Sequence, residues 1–467
     1  MSFLIDNRKT DDRQPSVRPE RHQGGASTDT LSEIDGLYSD LMARRPALLE
    51  EKLKLHSRII DEFNLALLEK LSPEELRRQV QSYVNNYVRA ERISLNQKEL
   101  EVFTSEVLAE MVGFGPIEPL LKDPTVSDIL INTHKLCFVE RFGRLERTNV
   151  RFKDEAHLLR IINKIVSGVG RRIDESSPMV DARLPNGSRV NVAIRPVSID
   201  GPLVSIRKFA ERPFNTQRLI EMGTLCPSMA ELLQAAVRGR ISLIISGGTG
   251  TGKTTLLNAL SNYIPDEERL ITIEDAAELQ LQQSHVGRLE TRPPNAEGKG
   301  EIRQRDLVKN ALRMRPDRII IGECRGEEAF DMLQAMNTGH EGSMTTIHAN
   351  SPRDALKRLE QMVAMAAIGL PVNSIRSQIS SAITLVVQLQ RLPDGRRRLI
   401  SVDEIIGMED DTIQIQEIFR FVKEETDATG NVLGYFAASG VRPHFLQQLL
   451  PYGIQLAATH FDPARRM

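Results

Sequence analysis

Tryptophan is absent from the 467 residues, and aromatic residues make up only 4%. Platforms on which bases stack are built from such rings, so the chain is poorly supplied for holding single strands. Neither sign of charge is in excess: 61 Lys and Arg stand against 63 Asp and Glu, for a net charge of −2. Nothing global draws the chain to DNA or RNA, and no direct nucleic-acid partner is expected. Cysteine is scarce, and Cys137, Cys226 and Cys324 lie far apart without C-x-x-C spacing. That excludes a disulfide framework, offers no zinc or redox pair, and fits a reducing cytosol. No apolar run approaches the ~18 residues of a membrane span. The first residues, with Asp6, Asp11 and Asp12, lack the apolar core of a secretory signal. Membrane association is therefore expected to be peripheral, through partners.

Apolar residues are also missing from the beginning, where only Val17 and Ala26 follow Ile5 before residue 30. Residues 1–30 are expected to form a disordered leader, because too little can be buried to offset the cost of ordering. A helical module is expected over 31–96. Leu49, Leu53, Ile60, Phe63 and Leu67 recur at helical spacing, and Ser72, Pro73 and Glu75 form a helix start with a capping box. Helix signals at 96–111 and 158–166 and strand signals at 128–132, 136–140, 189–194 and 203–208 predict an α/β domain over 97–208. Residues 209–225 read as a linker. From 226 to 467 a capping box at Ser228 and Glu231 opens alternating helices and strands, followed after about 389 by a β-rich extension.

Five residues of the apolar strand 241–245 lead into Gly247, Gly248, Thr249, Gly250, Thr251, Gly252, Lys253, Thr254 and Thr255, and a helix pattern resumes at Leu256. This is G-x-x-x-x-G-K-[ST] between a strand and a helix, the arrangement in which backbone N–H groups surround a polyphosphate at a helix N-terminus. Lys253 would reach the β/γ-phosphates of ATP, and the Thr254 hydroxyl would ligate Mg²⁺. Downstream, the buried strand 270–273 delivers Glu274, and the strand 318–321 delivers Glu323 behind Gly322. Both carboxylates come at the strand ends where open α/β sheets bind ligands, and they are the candidates for holding Mg²⁺ and orienting the attacking water. His340 and His348 flank a glycine-bearing segment too widely spaced for a zinc pair, so a loop that senses phosphate or bridges sites is expected there. Cys324 reads as a small packing residue behind the site.

The order of P-loop, acidic segment 273–275, strand-end Glu323 behind a glycine, and histidine segment 339–350 resembles the ATPase superfamily of type II, type IV and pilus secretion systems. Four longer phrases, GFGPIEPL at 113–120, GRRIDESSP at 170–178, DARLPNGSR at 181–189 and LETRPPN at 289–295, are similar to CpaF-like ATPases of tight-adherence (Flp) pilus assembly. The resemblance implies a RecA-like P-loop NTPase domain preceded by a smaller α/β (PAS-like) N-terminal domain and a helical module. It also implies a homohexamer in the cytoplasm, at the inner face of the inner membrane, that passes ATP-driven motion to a membrane platform. By motif position, Glu274 and Glu323 are the catalytic and metal-organising carboxylates. On the same basis His340 and His348 belong to a histidine box, and Arg189 and Arg207 are N-terminal-domain arginines that reach the γ-phosphate. The sibling reading is a type IV secretion motor moving protein or DNA. A nucleic-acid motor would show stimulation by single-stranded DNA, and a regulatory switch would show no turnover.

Overall fold

The computed structural model describes residues 47–62, 72–141, 143–209, 214–292, 294, 299–366, 369–427 and 430–467. The leader expected over 1–30 lies outside them.

Two compact units divide the chain, the first reaching Pro119 and including residues 148–157. It is built on three helices: α1 (Ala47–Glu62), α2 (Pro73–Ala90) and α3 (Gln97–Met111). The capping box at the start of α2 is present, with Ser72 Oγ accepting from Glu75 N–H at 3.3 Å and the Glu75 carboxylate accepting from Ser72 N–H at 3.1 Å. Asn96 and Glu99 repeat the device on α3, at 2.9 and 2.8 Å. Leu48, Leu55 and Ile59 of α1, Val80 and Val84 of α2, and Phe103 and Val107 of α3 share one core. The sequence boundary at 97 therefore differs from the structural one, because the apolar face of α3 finds its partners on α1 and α2. Inside this unit lies a charged cluster. Lys52 Nζ contacts Glu106 at 2.9 Å and Glu110 at 2.9 Å, and His157 Nε2 meets Glu110 at 3.0 Å, all four side chains buried.

The second unit holds two sheets. The smaller is wholly antiparallel with strand order β3-β2-β1-β6-β5-β4, built from β1 (Val126–Thr133), β2 (Leu136–Arg141), β3 (Arg144–Arg147), β4 (Met179–Arg183), β5 (Arg189–Ala193) and β6 (Leu203–Arg207). Alternation along β5 and β6 buries Val190, Val192, Val204 and Ile206 and leaves Asn191, Leu203, Ser205 and Arg207 exposed.

The larger sheet has order β15-β14-β13-β12-β7-β11-β10-β8-β9. Its parallel part comprises β7 (Leu243–Gly247), β8 (Leu270–Glu274), β9 (Val286–Glu290), β10 (Arg318–Ile321), β11 (Met344–Ile347) and β12 (Leu385–Arg391). Helices cover both faces, so β7, β8, β10 and β11 are buried throughout. Leu243 and Ile245 face one core, and Ile244 faces the other. β13 (Arg397–Glu409), β14 (Thr412–Thr426) and β15 (Val432–Ala438) continue the same sheet antiparallel from β12. The expected β-rich extension is thus a widening of the P-loop sheet.

Two local expectations change. Ser228 does not cap: the helix Pro227–Arg238 begins behind Cys226 with proline in its first turn and no side-chain cap. The linker expected over 209–225 is docked in its second half, where the helix Thr216–Glu221 brings Leu219 into the core of the larger sheet and Leu225 follows it there. Among the described residues no helix is long and apolar enough to cross a membrane.

Candidate nucleotide site

Because β7, β11, β10 and β8 run parallel, their C-terminal ends form one edge, and each end carries a candidate residue. β7 runs into the glycine loop, and helix α4 (Lys253–Ser261) starts directly behind it. Gly250 and Gly252 take left-handed backbone angles, φ +70° and +96°, which L side chains rarely adopt. Gly247 is required for space: a Cβ there would meet Thr251 Oγ1 at 2.6 Å and Leu389 O at 2.7 Å. Thr251 Oγ1 closes the loop by donating to Gly248 O at 3.0 Å. Gly252 caps α4 with no side-chain bond to its N-terminal amides, while Thr249 and Gly250 are exposed at the loop tip. Uncapped amides behind a left-handed turn make a cradle for an anion, and a polyphosphate fits its chemistry.

Lys253 Nζ donates to Gly248 O at 2.9 Å and stands 3.3 Å from His348 Nε2. Its ammonium is pushed down to about 8, chiefly by burial, with Arg325 and Arg207 adding to the effect and Glu323 opposing it. His348, just beyond β11, lies 2.9 Å from Glu323 Oε1, just beyond β10. One imidazole nitrogen cannot serve both neighbours: protonated, Nε2 donates to Glu323, and unprotonated, it accepts from Lys253. Burial and Lys253 lower the His348 pKa against the pull of Glu323, which favours the neutral ring. Glu323 Oε2 accepts from Arg325 at 2.8 Å. Burial raises this carboxyl, but Arg325, His348 and Lys253 outweigh it and hold the group below its ordinary range.

Glu274 ends β8, nearly inaccessible at 3% exposure. Its Oε1 accepts from the backbone N–H of Glu278 and Leu279 at 2.7 and 2.8 Å, while Oε2 is buried without a hydrogen-bond partner. Burial raises its pKa against those two amides. Gly322 explains the glycine before Glu323: a Cβ there would lie 2.9 Å from Glu274 Cγ. The unused Glu274 oxygen, the Glu323 carboxylate at the next strand end and the Thr254 hydroxyl in the first turn of α4 are oxygen donors of the kind that suit Mg²⁺ and its water.

The smaller sheet supplies arginines to this edge. Arg189 and Arg207 line a small cavity of about 170 Å³ together with Thr254, Thr255 and Glu278. Arg189 donates to Ala276 O at 2.9 Å and pairs with Glu278 at 3.0 Å, while Arg207 donates to Asp128 at 3.2 Å and is half exposed. Arg183, directly opposite Arg189 on the neighbouring strand β4, bonds Ala277 O and Glu290. These arginines border a larger cleft of about 1070 Å³ that continues to Asp275 and Arg325.

His340 is not part of this arrangement. It precedes β11 while His348 follows it, so the strand holds them at opposite edges of the sheet, and His340 Nδ1 lies 3.3 Å from Ala335 O. Cys324 is buried at 1% in the core, as its packing role requires, with its thiol raised by burial and by Glu328. Sequence reasoning missed Arg325, Arg391 and Arg397. For Arg325 a signal existed, a cation two residues beyond a strand-end carboxylate. Arg397 donates to Gly250 O from 147 positions away, and nothing local announces that contact.

Residues 110–424 match the family model described as Type II/IV secretion system protein. Over 299 residues the chain is 37% identical to a putative conjugal transfer protein of Mycobacterium tuberculosis, covering 63% of this chain and 84% of that one. The conjugal transfer protein TrbB of Rhizobium radiobacter is 33% identical over 294 residues, 62% of this chain and 85% of its own. Among solved structures, the VirB11 ATPase from the Brucella suis type IV secretion system is 29% identical, covering 62% of this chain and 94% of that one, with a TM-score of 0.34. The family match takes in the smaller sheet, the whole P-loop edge and the larger sheet as far as β14, and the chain belongs to the Type II/IV secretion system protein family.

Proposed function

We propose that the chain hydrolyses ATP with Mg²⁺ and uses the cycle to drive assembly of a Flp-type pilus. It would act as a homohexamer in the cytoplasm, against the platform proteins of the inner membrane. The observation that carries the hydrolytic reading is the line Lys253, His348, Glu323 at the P-loop edge, with the unpartnered Glu274 oxygen beside it. The polyphosphate is bound by the amides of 247–255 and by Lys253. Thr254 would hold Mg²⁺, with Glu323 and Glu274 placed to order its water ligands, and the ion would supply charge neutralisation at the phosphates. Glu274 orients water against the γ-phosphorus and accepts its proton at Oε2 as the bond to ADP breaks. Arg189 and Arg207 stabilise the charge that develops. Glu323→Gln should retain ATP binding and lose hydrolysis by orders of magnitude, and normal turnover would sink the assignment.

A second reading, a type IV secretion motor that moves protein or DNA, is favoured by the conjugal transfer proteins among the relatives. A deletion strain separates the two: loss of surface pili with unchanged transfer supports the pilus motor, and the reverse supports the transfer motor. Single-stranded DNA should not stimulate the ATPase in either case.

A further inference from the structure

The turn between β12 and β13 is flanked by two paired arginines, Arg391 at the end of β12 and Arg397 at the start of β13, that the reaction above does not use. β12 neighbours β7 in the sheet, so this turn emerges at the P-loop edge on the side away from Glu323. Arg397 Nε donates to Gly250 O at 2.9 Å. Its Cδ lies 3.4 Å from the place of a Cβ on Gly252, and Arg391 Nη1 lies 3.9 Å from that of Gly250. The two guanidiniums share a single carboxylate, Glu140 on β2, at 3.8 and 3.7 Å. Those separations are long for charge-assisted hydrogen bonds. Arg391 also donates to Gly143 O in the turn between β2 and β3. Burial, the adjacent Arg391 and Arg207 work against the charge on Arg397, and Glu140, with a smaller contribution from Asp128, compensates only in part. Two forked cations at the tip of an anion cradle thus share one imperfectly placed anion.

We propose that Arg391 and Arg397 are phosphate-binding residues of the nucleotide site, and that Glu140 competes with the phosphate for them. The proposal rests on the reading of the P-loop as a nucleotide site. The tip at Gly250 belongs to the part of the loop whose amides surround the α- and β-phosphates, so these arginines act on ADP and ATP alike. A guanidinium fork matches two phosphate oxygens where an ammonium would meet one. Because Glu140 belongs to the smaller sheet, phosphate that takes the arginines weakens the hold of the larger sheet on the turn between β2 and β3. By linkage, anything that strengthens the Glu140 contacts weakens nucleotide binding.

Opposite signs test this. In the full chain, titrated with a fluorescent ADP analogue, Arg397→Ala and Arg391→Ala should each weaken binding by about tenfold, and ATP should show a similar loss. Arg397→Lys should lose less than Arg397→Ala. Glu140→Gln should tighten binding severalfold, because it frees both arginines. A purely structural brace would instead lower the melting temperature of the arginine variants without changing affinity, or make Glu140→Gln weaken binding, and either result overturns the proposal. Lys253→Ala serves as the reference: a wild-type chain that binds ADP no better than Lys253→Ala refutes the nucleotide reading itself. A wild type that binds, together with arginine variants that bind equally well, refutes this inference alone.

Discussion

Gly322 shows how a single missing carbon can shape a reactive group. The strands β8 and β10 are adjacent and end together, which puts Glu274 against the backbone at Gly322, where a Cβ would come within 2.9 Å of Glu274 Cγ. Gly322→Ala should displace the Glu274 carboxylate from the amides of Glu278 and Leu279. Hydrolysis is expected to fall at least tenfold while ADP affinity stays within about twofold, a contrast that steady-state turnover and equilibrium titration would reveal together. Lys253→Ala should fail at the earlier step and weaken nucleotide binding itself, since a lost charge-assisted contact costs ~1.5–3 kcal/mol. The sequence pattern placed both glutamates at strand ends. It could not tell which would be held low by cations and which raised by burial, because that depends on Arg325 and His348 beside Glu323 and on the enclosure of Glu274.

Among the helices, the charged cluster between α1 and α3 has a pH signature. One ammonium between two carboxylates cannot neutralise both. Glu110 is held down to about 2, because the bond from His157 and the charge of Lys52 prevail over its burial. Glu106 is lifted to about 7, because burial prevails over Lys52. Between pH ~4.5 and ~7 the folded helical unit therefore keeps a proton on Glu106 that the unfolded chain has released, so stability falls as pH rises through that window. Glu106→Gln should remove the slope. Its urea midpoint should exceed that of the wild type at pH 8, by on the order of 2 kcal/mol in stability, and match it at pH 5. An equal effect at both pH values would show that only packing had changed. The capping boxes at Ser72 and Asn96 were open to a sequence reader because their partners are three residues apart. The Lys52–Glu106 pair, 54 positions apart, was not.

At the scale of the molecule, the smaller sheet is tied to the larger one through Arg183 and Arg189, which bond the backbone just beyond Glu274. Arg207 is held by Asp128 and is exposed enough to move. If closure of this sheet over the P-loop completes the site, Arg207→Ala should lower turnover by ~10³-fold while leaving ADP binding unchanged. Full activity would leave the smaller sheet as an adaptor for partners. Leu219 and Leu225 pack in the core of the larger sheet, so the helix Thr216–Glu221 belongs with that sheet. The sequence alone determined the P-loop, the strands that carry Glu274 and Glu323, and the broad Type II/IV secretion family though not its CpaF-like branch, because each is written in short runs whose spacing follows backbone geometry. Only the tertiary structure decided that His348 and not His340 joins the site, that α3 belongs with the helices, that β13 to β15 widen the P-loop sheet, and that Arg391 and Arg397 reach the P-loop tip. Those outcomes depend on which strand lies beside which, and strand order is set by packing across long stretches of chain.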